Sequence, residues 1–297
     1  MFGVLSRLPL AVLLQAGVDV VGVVVPANRV PPFLLEGNGR FPTPITPVQP
    51  PQPTTNLFQQ DSSISTLELA AQHQIPAFGV RHLQAEATLN SLRALSPDVI
   101  CVSCFPQKLP PVLLQLPRLG CLNLHPSLLP HFRGPAPLFW TFQRGVSETG
   151  VTIHWMDEAF DTGDIALQKP LTLPDGISNQ EAEQLLAKVG GDLMVDALQR
   201  LANNNLPRKP QPAGFAADPL PRDADFELNL NWSARRAFNF MRGTGGWKRP
   251  YVITINNQLI KLQVAIDFQP HQILSHPIAT NGNQVIIQLN PGVLFAV

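Results

Sequence analysis

Short apolar runs alternate along the chain with longer amphipathic ones. Residues 98–105 (DVICVSCF) are rich in Val, Ile and Cys, the pattern of a strand buried on both faces of a parallel sheet. Residues 120–125 (GCLNLH) form a second such run, and 109–119 (LPPVLLQLPRL) between them are helix-like. Upstream, the pattern predicts a helix at 8–17, a strand at 18–25 (VDVVGVVV), a capped helix at 63–74 (SISTLELAAQHQ), a short strand at 75–80 and a helix at 89–97. Strands alternating with helices predict an α/β domain with a Rossmann-like parallel sheet. A doubly wound sheet normally opens on a strand, and residues 1–3 supply only its last residues, so the first strand is expected to be truncated.

Residues 26–60 are dominated by Pro and Gly and read as a long surface loop unable to sustain a ladder. Further on, 149–156 (TGVTIHWM) alternates like a strand, 157–168 (DEAFDTGDIALQ) reads as a carboxylate-rich loop, and 178–201 as a long amphipathic helix. Composition then changes abruptly at 203–223, the signature of a linker. Beyond it, 231–244 reads as a helix, and 251–266 and 283–297 as strands with turns, which predicts a small β-rich, OB-like barrel domain. The expected division is a first domain at 1–202, a linker at 203–222 and a second domain at 223–297.

Charge adds little to this picture: 21 cationic and 21 acidic side chains leave no global field that would draw in nucleic acid. The longest apolar stretch is interrupted by Gln15, Gly17 and Asp19, short of the roughly 20 residues of a membrane span. No membrane association is expected. The opening does not fit a secretory signal, so a cytoplasmic location is the simplest expectation. Cys101-x-x-Cys104 lacks a second ligand pair for zinc, and these two with Cys121 read as buried, reduced core cysteines.

The chemistry concentrates in residues 123–134, NLHPSLLPHFRG. Asn123 and His125 fall at the carboxyl end of a predicted strand, the end that opens into the ligand crevice of such sheets. Two residues apart on a strand, they point to the same side and can converge on one group. Ser127 with His125 and Asp161 would resemble a hydrolase triad, but no G-x-S-x-G elbow surrounds Ser127, which reads as a loop-stabilising hydroxyl. Asp157, Glu158 and Asp164 read as a solvated loop rather than metal ligands, and no metal is expected. Arg133 stands evenly between a surface charge and an anion contact.

Asn123, His125, the SLLP tetrapeptide, Arg133-Gly134 and Asp161-Thr162-Gly163-Asp164 together resemble the formyltransferases that use 10-formyltetrahydrofolate. The resemblance runs through the linker and the WSA…FNFMRG…W segment, and in overall plan it is nearest to members acting on initiator methionyl-tRNA. It implies formyl transfer from a folate donor to a primary amine. Asn123 and His125 would offer donors to an oxyanion, and Asp161 would orient the imidazole and favour its charged form. The resemblance also implies a pterin site along Phe105, Pro106 and Leu109 and along Met156, Asp157, Glu158, Ala159 and Phe160. Ser127, Arg133, Arg235, Arg236 and Arg249 are the implied acceptor contacts.

The acceptor stays open between tRNA and a small amine such as an amino-sugar nucleotide, with a folate hydrolase or a non-catalytic folate binder as further alternatives. Against tRNA, the loop at 27–60 holds only Arg29 and Arg40, and no lysine precedes Lys108. In its favour, nine cations face five carboxylates after Pro207, and five of those cations lie between Arg235 and Arg249.

Overall fold

The computed structural model describes residues 4–30, 34–35, 43–49 and 65–297. In chain order the first elements are α1 (Val4–Gln15), β1 (Val23–Pro26), β2 (Ile45–Pro47), α2 (Thr66–Gln72), β3 (Ala77–Val80), α3 (Glu86–Ala94) and β4 (Ile100–Ser103). These lead to α4 (Pro111–Leu114), β5 (Cys121–His125), α5 (Pro137–Gln143), β6 (Glu148–Trp155), β7 (Ile165–Thr172) and α6 (Asn179–Ala202). The chain closes with α7 (Ala234–Thr244), β8 (Tyr251–Ile255), β9 (Gln258–Leu262), β10 (Ala265–Gln269), β11 (Ile278–Asn281), β12 (Gln284–Gln288) and β13 (Val293–Ala296).

Two compact units result. One gathers the described residues up to Arg133 with Val151–Lys169 and Gln184–Ala216; the other gathers Gly134–Gly150, Pro170–Glu183 and Ala217–Val297. The first is the expected Rossmann-like α/β arrangement, with parallel pairs β1–β3 and β4–β5. Its strands fall into two hydrogen-bonded groups, β1-β3-β2 and β4-β5-β6-β7. Local chemistry explains several boundaries. Ser65 and Glu68 form a reciprocal capping box at the start of α2, which satisfies two of the orphan amides there.

Three expectations need correction. First, β2 pairs antiparallel with β3 inside the supposed ladder-free loop, because on a short edge strand the missing amide of Pro47 is not needed on the β3 side, while the Pro44 carbonyl still accepts from the Arg81 amide at 2.8 Å. The remainder of that loop and residues 1–3 lie outside the described residues. Second, the carboxylate-rich loop ends earlier than expected, since residues from Ile165 onward join the sheet as β7. Third, β4 is not buried on both faces: Cys101 and Cys104 are exposed and only Cys121 is buried. Cys101 opens onto a cleft whose apolar walls still push its thiol up to about 12, so it carries almost no thiolate at neutral pH.

In the second unit, Asn256 and Asn257 both adopt left-handed backbone, the geometry of a two-residue turn, and connect β8 to β9. Strands β10-β13-β12-β11 make a separate four-stranded sheet. Phe139, Phe226, Phe240 and Trp247 meet edge-on or tilted in its aromatic core. Among the described residues no helix is long and apolar enough to cross a membrane.

The site rests on close packing behind β5. Gly190 and Gly191 lie within α6, where glycine costs about 1 kcal/mol of helix propensity. A Cβ at Gly190 would stand 2.6–3.0 Å from three side-chain carbons of buried Leu124, and one at Gly191 would stand 3.0 Å from Val12 Cβ. The bare backbone therefore lets α6 approach β5 and α1. Gly190→Ala should lower stability by about 1–2 kcal/mol in urea titrations, because overpacking outweighs the propensity gain. A more stable variant would show that the helix has room to retreat.

Candidate active site

β5 is buried along its whole length, and its antiparallel register with β6 sets Asn123 opposite His154 and His125 opposite Thr152. Opposed residues share a face, so these four side chains project together while Leu122, Leu124, Ile153 and Trp155 take the other side. Asn123 Nδ2 lies 3.0 Å from His154 Nε2. The other ring nitrogen of His154, Nδ1, is 2.9 Å from the carbonyl of Trp155, an acceptor only. Nδ1 therefore carries the proton, and Nε2 accepts a hydrogen from Asn123. This also fixes the amide orientation of Asn123.

The loop between β6 and β7 brings a carboxylate to this face. Asp161 Oδ1 stands 3.5 Å from Asn123 Nδ2, 3.5 Å from His125 Nδ1 and 3.6 Å from His154 Nε2. Asn123, His125 and Asp161 are thus brought together, and His154 joins them. His154 is the residue that sequence reading missed; its signal was a histidine two residues from Thr152 in the predicted strand that became β6. His125 Nε2 donates to the Phe132 carbonyl at 2.9 Å, which leaves Nδ1 as the nitrogen facing Asp161. Both Phe132 and Asp161 sit in left-handed backbone, which few non-glycine residues adopt.

Several contacts hold that strained loop. Asp157 accepts from Thr162 Oγ1 at 2.8 Å and from the Ala159 amide at 3.1 Å. A Cβ at Gly163 would meet the Trp155 carbonyl at 1.9 Å, so only glycine allows the chain to turn back against β6. Gln211 Nε2 donates to the carbonyls of Asp161 (2.9 Å) and Gly163 (2.7 Å). Its own Oε1 accepts from Arg133 Nε (3.1 Å) and Nη2 (2.7 Å), while Arg133 Nη1 donates to the Phe215 carbonyl at 2.7 Å. The Pro-rich segment thus straps the loop as well as connecting elements. Arg133 is buried, which overturns its reading as a surface charge. Ser127 is buried too, and its hydroxyl donates to the His131 carbonyl at 2.8 Å, within its own loop.

Electrostatics correct one further expectation. Burial pushes the His125 pKa down, against the opposing pull of Asp161 and of the Phe132 carbonyl, and the neighbouring His154 lowers it further. The imidazole is held in its neutral form. A small cavity of about 40 Å³ runs from Asn123, His154 and Asp161 between Phe105, Leu109, Met156, Asp157, Ala159 and Phe160. Lys108 Nζ lies 5.1 Å from the Phe160 ring centre and links the two walls. Pro106 and Glu158 are exposed and do not line it.

The three arginines of the second unit expected as acceptor contacts are engaged locally. Arg235 Nε bonds Asp175 at 2.8 Å, and Arg249 pairs with Asp223. Arg236 Nη2 donates to the Gln143 carbonyl at 2.6 Å, and its guanidinium lies 3.9 Å from the Trp232 ring centre.

Two outcomes follow from this geometry. Because the folded state holds His125 below its ordinary 6.5, the unfolded chain binds more protons under that pH. Stability should therefore fall as pH drops below about 6.5, and His125→Gln should flatten that decline in urea midpoints measured from pH 7.5 to 5. His154→Leu removes the acceptor of a buried Asn123 hydrogen and should cost about 1–3 kcal/mol. In a double-mutant cycle with Asn123→Ala the costs should be well short of additive; additive losses would mean the two side chains do not act as a pair.

The formyl transferase family model matches residues 45–198, more than half of the chain. Methionyl-tRNA formyltransferase of Clostridioides difficile is 34% identical over 196 residues, 66% of this chain and 63% of that protein. The enzyme of the same name from Syntrophus aciditrophicus is 36% identical over 197 residues, again 66% of this chain and 63% of that protein. The chain thus spans slightly under two thirds of these relatives. In fold it is similar to an N-formyltransferase of Helicobacter canadensis solved with folinic acid and dTDP-3-aminofucose, at a TM-score of 0.56 and 16% identity over 78% of this chain and 82% of that one. With the match covering the strand of Asn123 and His125, the strand of His154 and the Asp161 turn, the chain belongs to the formyl transferase family.

Proposed function

We propose that the chain moves a formyl group from 10-formyltetrahydrofolate to a primary amine, with Asn123, His125 and Asp161 as the catalytic group. The observation that carries this reading is the convergence of an amide donor and a carboxylate at one end of a cavity walled by two apolar strips, with the neutral His125 imidazole 3.5 Å behind that carboxylate. The faces of Phe105, Leu109, Met156 and Phe160 and the hydrogen-bonding edges of the adjoining main chain suit a flat pterin, for which the walls must part beyond the 40 Å³ now between them. A strand-end crevice is also where parallel sheets bind their ligands.

Transfer forms a bond between the amine nitrogen and the formyl carbon and breaks the bond from that carbon to N10 of the folate. One proton leaves the amine and one is returned to N10. During attack the formyl oxygen gains negative charge. The Asn123 hydrogen that lies only loosely against Asp161, at 3.5 Å, is free to turn toward that oxygen, while His154 retains the other. The amine proton passes toward Asp161 and His125 Nδ1; a neutral imidazole can take it, and the adjacent carboxylate stabilises the cation so formed. His154, Gln211 and Arg133 serve as positioning residues.

The acceptor we favour is the methionyl amino group of initiator tRNA, supported by the names of the relatives. Acting there, the protein would work in the cytoplasm, and β8–β13 with α7 would form an OB-like module facing the nucleic acid. Arg235, Arg236 and Arg249 must then exchange their present partners for phosphate, which reduces the affinity they can add. An amino-sugar nucleotide is the second reading, supported by the ligand of the Helicobacter canadensis neighbour.

Asn123→Ala should lower formyl transfer by roughly two to three orders of magnitude with folate affinity little changed, as for loss of one oxyanion donor. Near-normal turnover would remove Asn123 from the chemistry. Initiator methionyl-tRNA and a panel of amino-sugar nucleotides, assayed at two salt concentrations, decide the acceptor. A tRNA reaction should weaken with salt and with Arg235→Ser, Arg236→Ser and Arg249→Ser combined; turnover of the sugars alone would overturn the tRNA assignment.

A further inference from the structure

The cavity between the two apolar strips has an inner end and a mouth. At the inner end His154 is 2% and Asn123 8% exposed, whereas Phe160 is 44% exposed and Lys108 is exposed beside it. There the Lys108 ammonium lies 5.1 Å from the Phe160 ring centre, a cation against an aromatic ring that reaches from one wall to the other. The backbone beneath it is well anchored, because Leu109 and Pro110 are buried and lead straight into α4. The flexible four-carbon stem can therefore swing while its base stays in place.

Charge around this mouth is lopsided. Lys108 is the only lysine or arginine among the residues that line the cavity. Asp157 and Asp161 line the same space, and exposed Glu158 adjoins them. His154 accepts a hydrogen from Asn123 at Nε2 and is neutral. An anion arriving here meets three carboxylates and a single ammonium.

The proposed donor, on whose assignment this inference rests, has three parts: a reduced pterin, an aminobenzoyl ring that carries N10, and a glutamate with two carboxylates. The rings suit apolar walls, but a carboxylate between such walls would lose its water without gaining a partner. The glutamate must stay at the solvent end, where Asp157, Glu158 and Asp161 repel it and Lys108 attracts it. Parting of the walls also separates Lys108 from Phe160, and a carboxylate replaces the ring as the partner of the freed ammonium.

We propose that Lys108 recognises the acidic end of the donor: it leaves the Phe160 ring as the walls part and pairs with a glutamate carboxylate, so that the protein selects folates that carry glutamate over pterins that lack it. The pair forms at a solvent-exposed rim, so it changes affinity a few-fold and weakens with salt. It sets which donor is held and takes no part in the chemistry at Asn123, His125 and Asp161.

The test titrates two ligands into the full chain by calorimetry: folinic acid, and a neutral amide that keeps the same formyl-pterin and aminobenzoyl rings without the glutamate. Wild type should prefer folinic acid by about three- to fivefold at roughly 20 mM salt, and the preference should largely vanish at about 0.5 M. Lys108→Gln should bring the ratio close to one at both salt concentrations while still binding the neutral amide, and Lys108→Arg should keep the preference. A wild-type ratio near one, a preference indifferent to salt, or a preference that survives Lys108→Gln would overturn the proposal and leave the donor reading standing. Failure of wild type to bind either ligand would overturn both.

Discussion

A carboxylate facing two imidazoles and an amide, all buried on one face of a sheet whose other face is hydrocarbon, is the constraint on which the candidate site depends. Asn123, His125 and His154 are all buried, and burying a polar group without a partner costs about 1–3 kcal/mol. These groups solve the problem only together. The carbonyl of Trp155 sets the tautomer of His154, His154 sets the amide of Asn123, and Phe132 sets the ring of His125. Each link has one chemically sensible orientation, so the array holds its geometry through hydrogen bonding rather than through steric crowding alone.

That geometry is maintained from outside as well as within. Asp161 sits in left-handed backbone on a loop with no regular structure, and two straps counter the strain. Gly163 lets the loop press against β6, and Gln211, itself gripped by Arg133, bonds the carbonyls on either side of the turn. Arg133 uses its guanidinium inside the protein, where the planar fork of donors can meet one amide oxygen twice. The same desolvation that makes such links strong also decides the state of His125. Burial outweighs the pull of Asp161, so the ring remains a neutral base beside a carboxylate ready to stabilise its charged form.

The second unit shows why a count of cations is a weak guide to a nucleic-acid surface. Five of its cations cluster between Arg235 and Arg249, yet Asp175, Asp223, the Gln143 carbonyl and the Trp232 ring already engage the three arginines singled out as contacts. Partners such as Asp175 lie far away in the chain, and only folding brings them near. The local excess of charge therefore overstates the field that these side chains present.

Much of the architecture was legible in the chain. Period and turn chemistry located the capped α2 and the long α6, because each depends on interactions between residues a few positions apart. The pairing of Asn123 with His125 was legible for the same reason, since a strand repeats every two residues. Other features depend on partners remote in sequence. His154 looked like one more residue of an apolar strand until the β5–β6 register set it against Asn123, and the exposure of Cys101 follows from what flanks β4 rather than from its own composition. Gln211, in a Pro-rich stretch without periodicity, carried no local signal at all. By itself the sequence determined the elements, the loop chemistry and the family resemblance, all of which rest on short-range geometry. Only the tertiary structure decided which polar groups are buried together, which tautomers they take and which charges are already spent, because desolvation and hydrogen bonding act between neighbours in space.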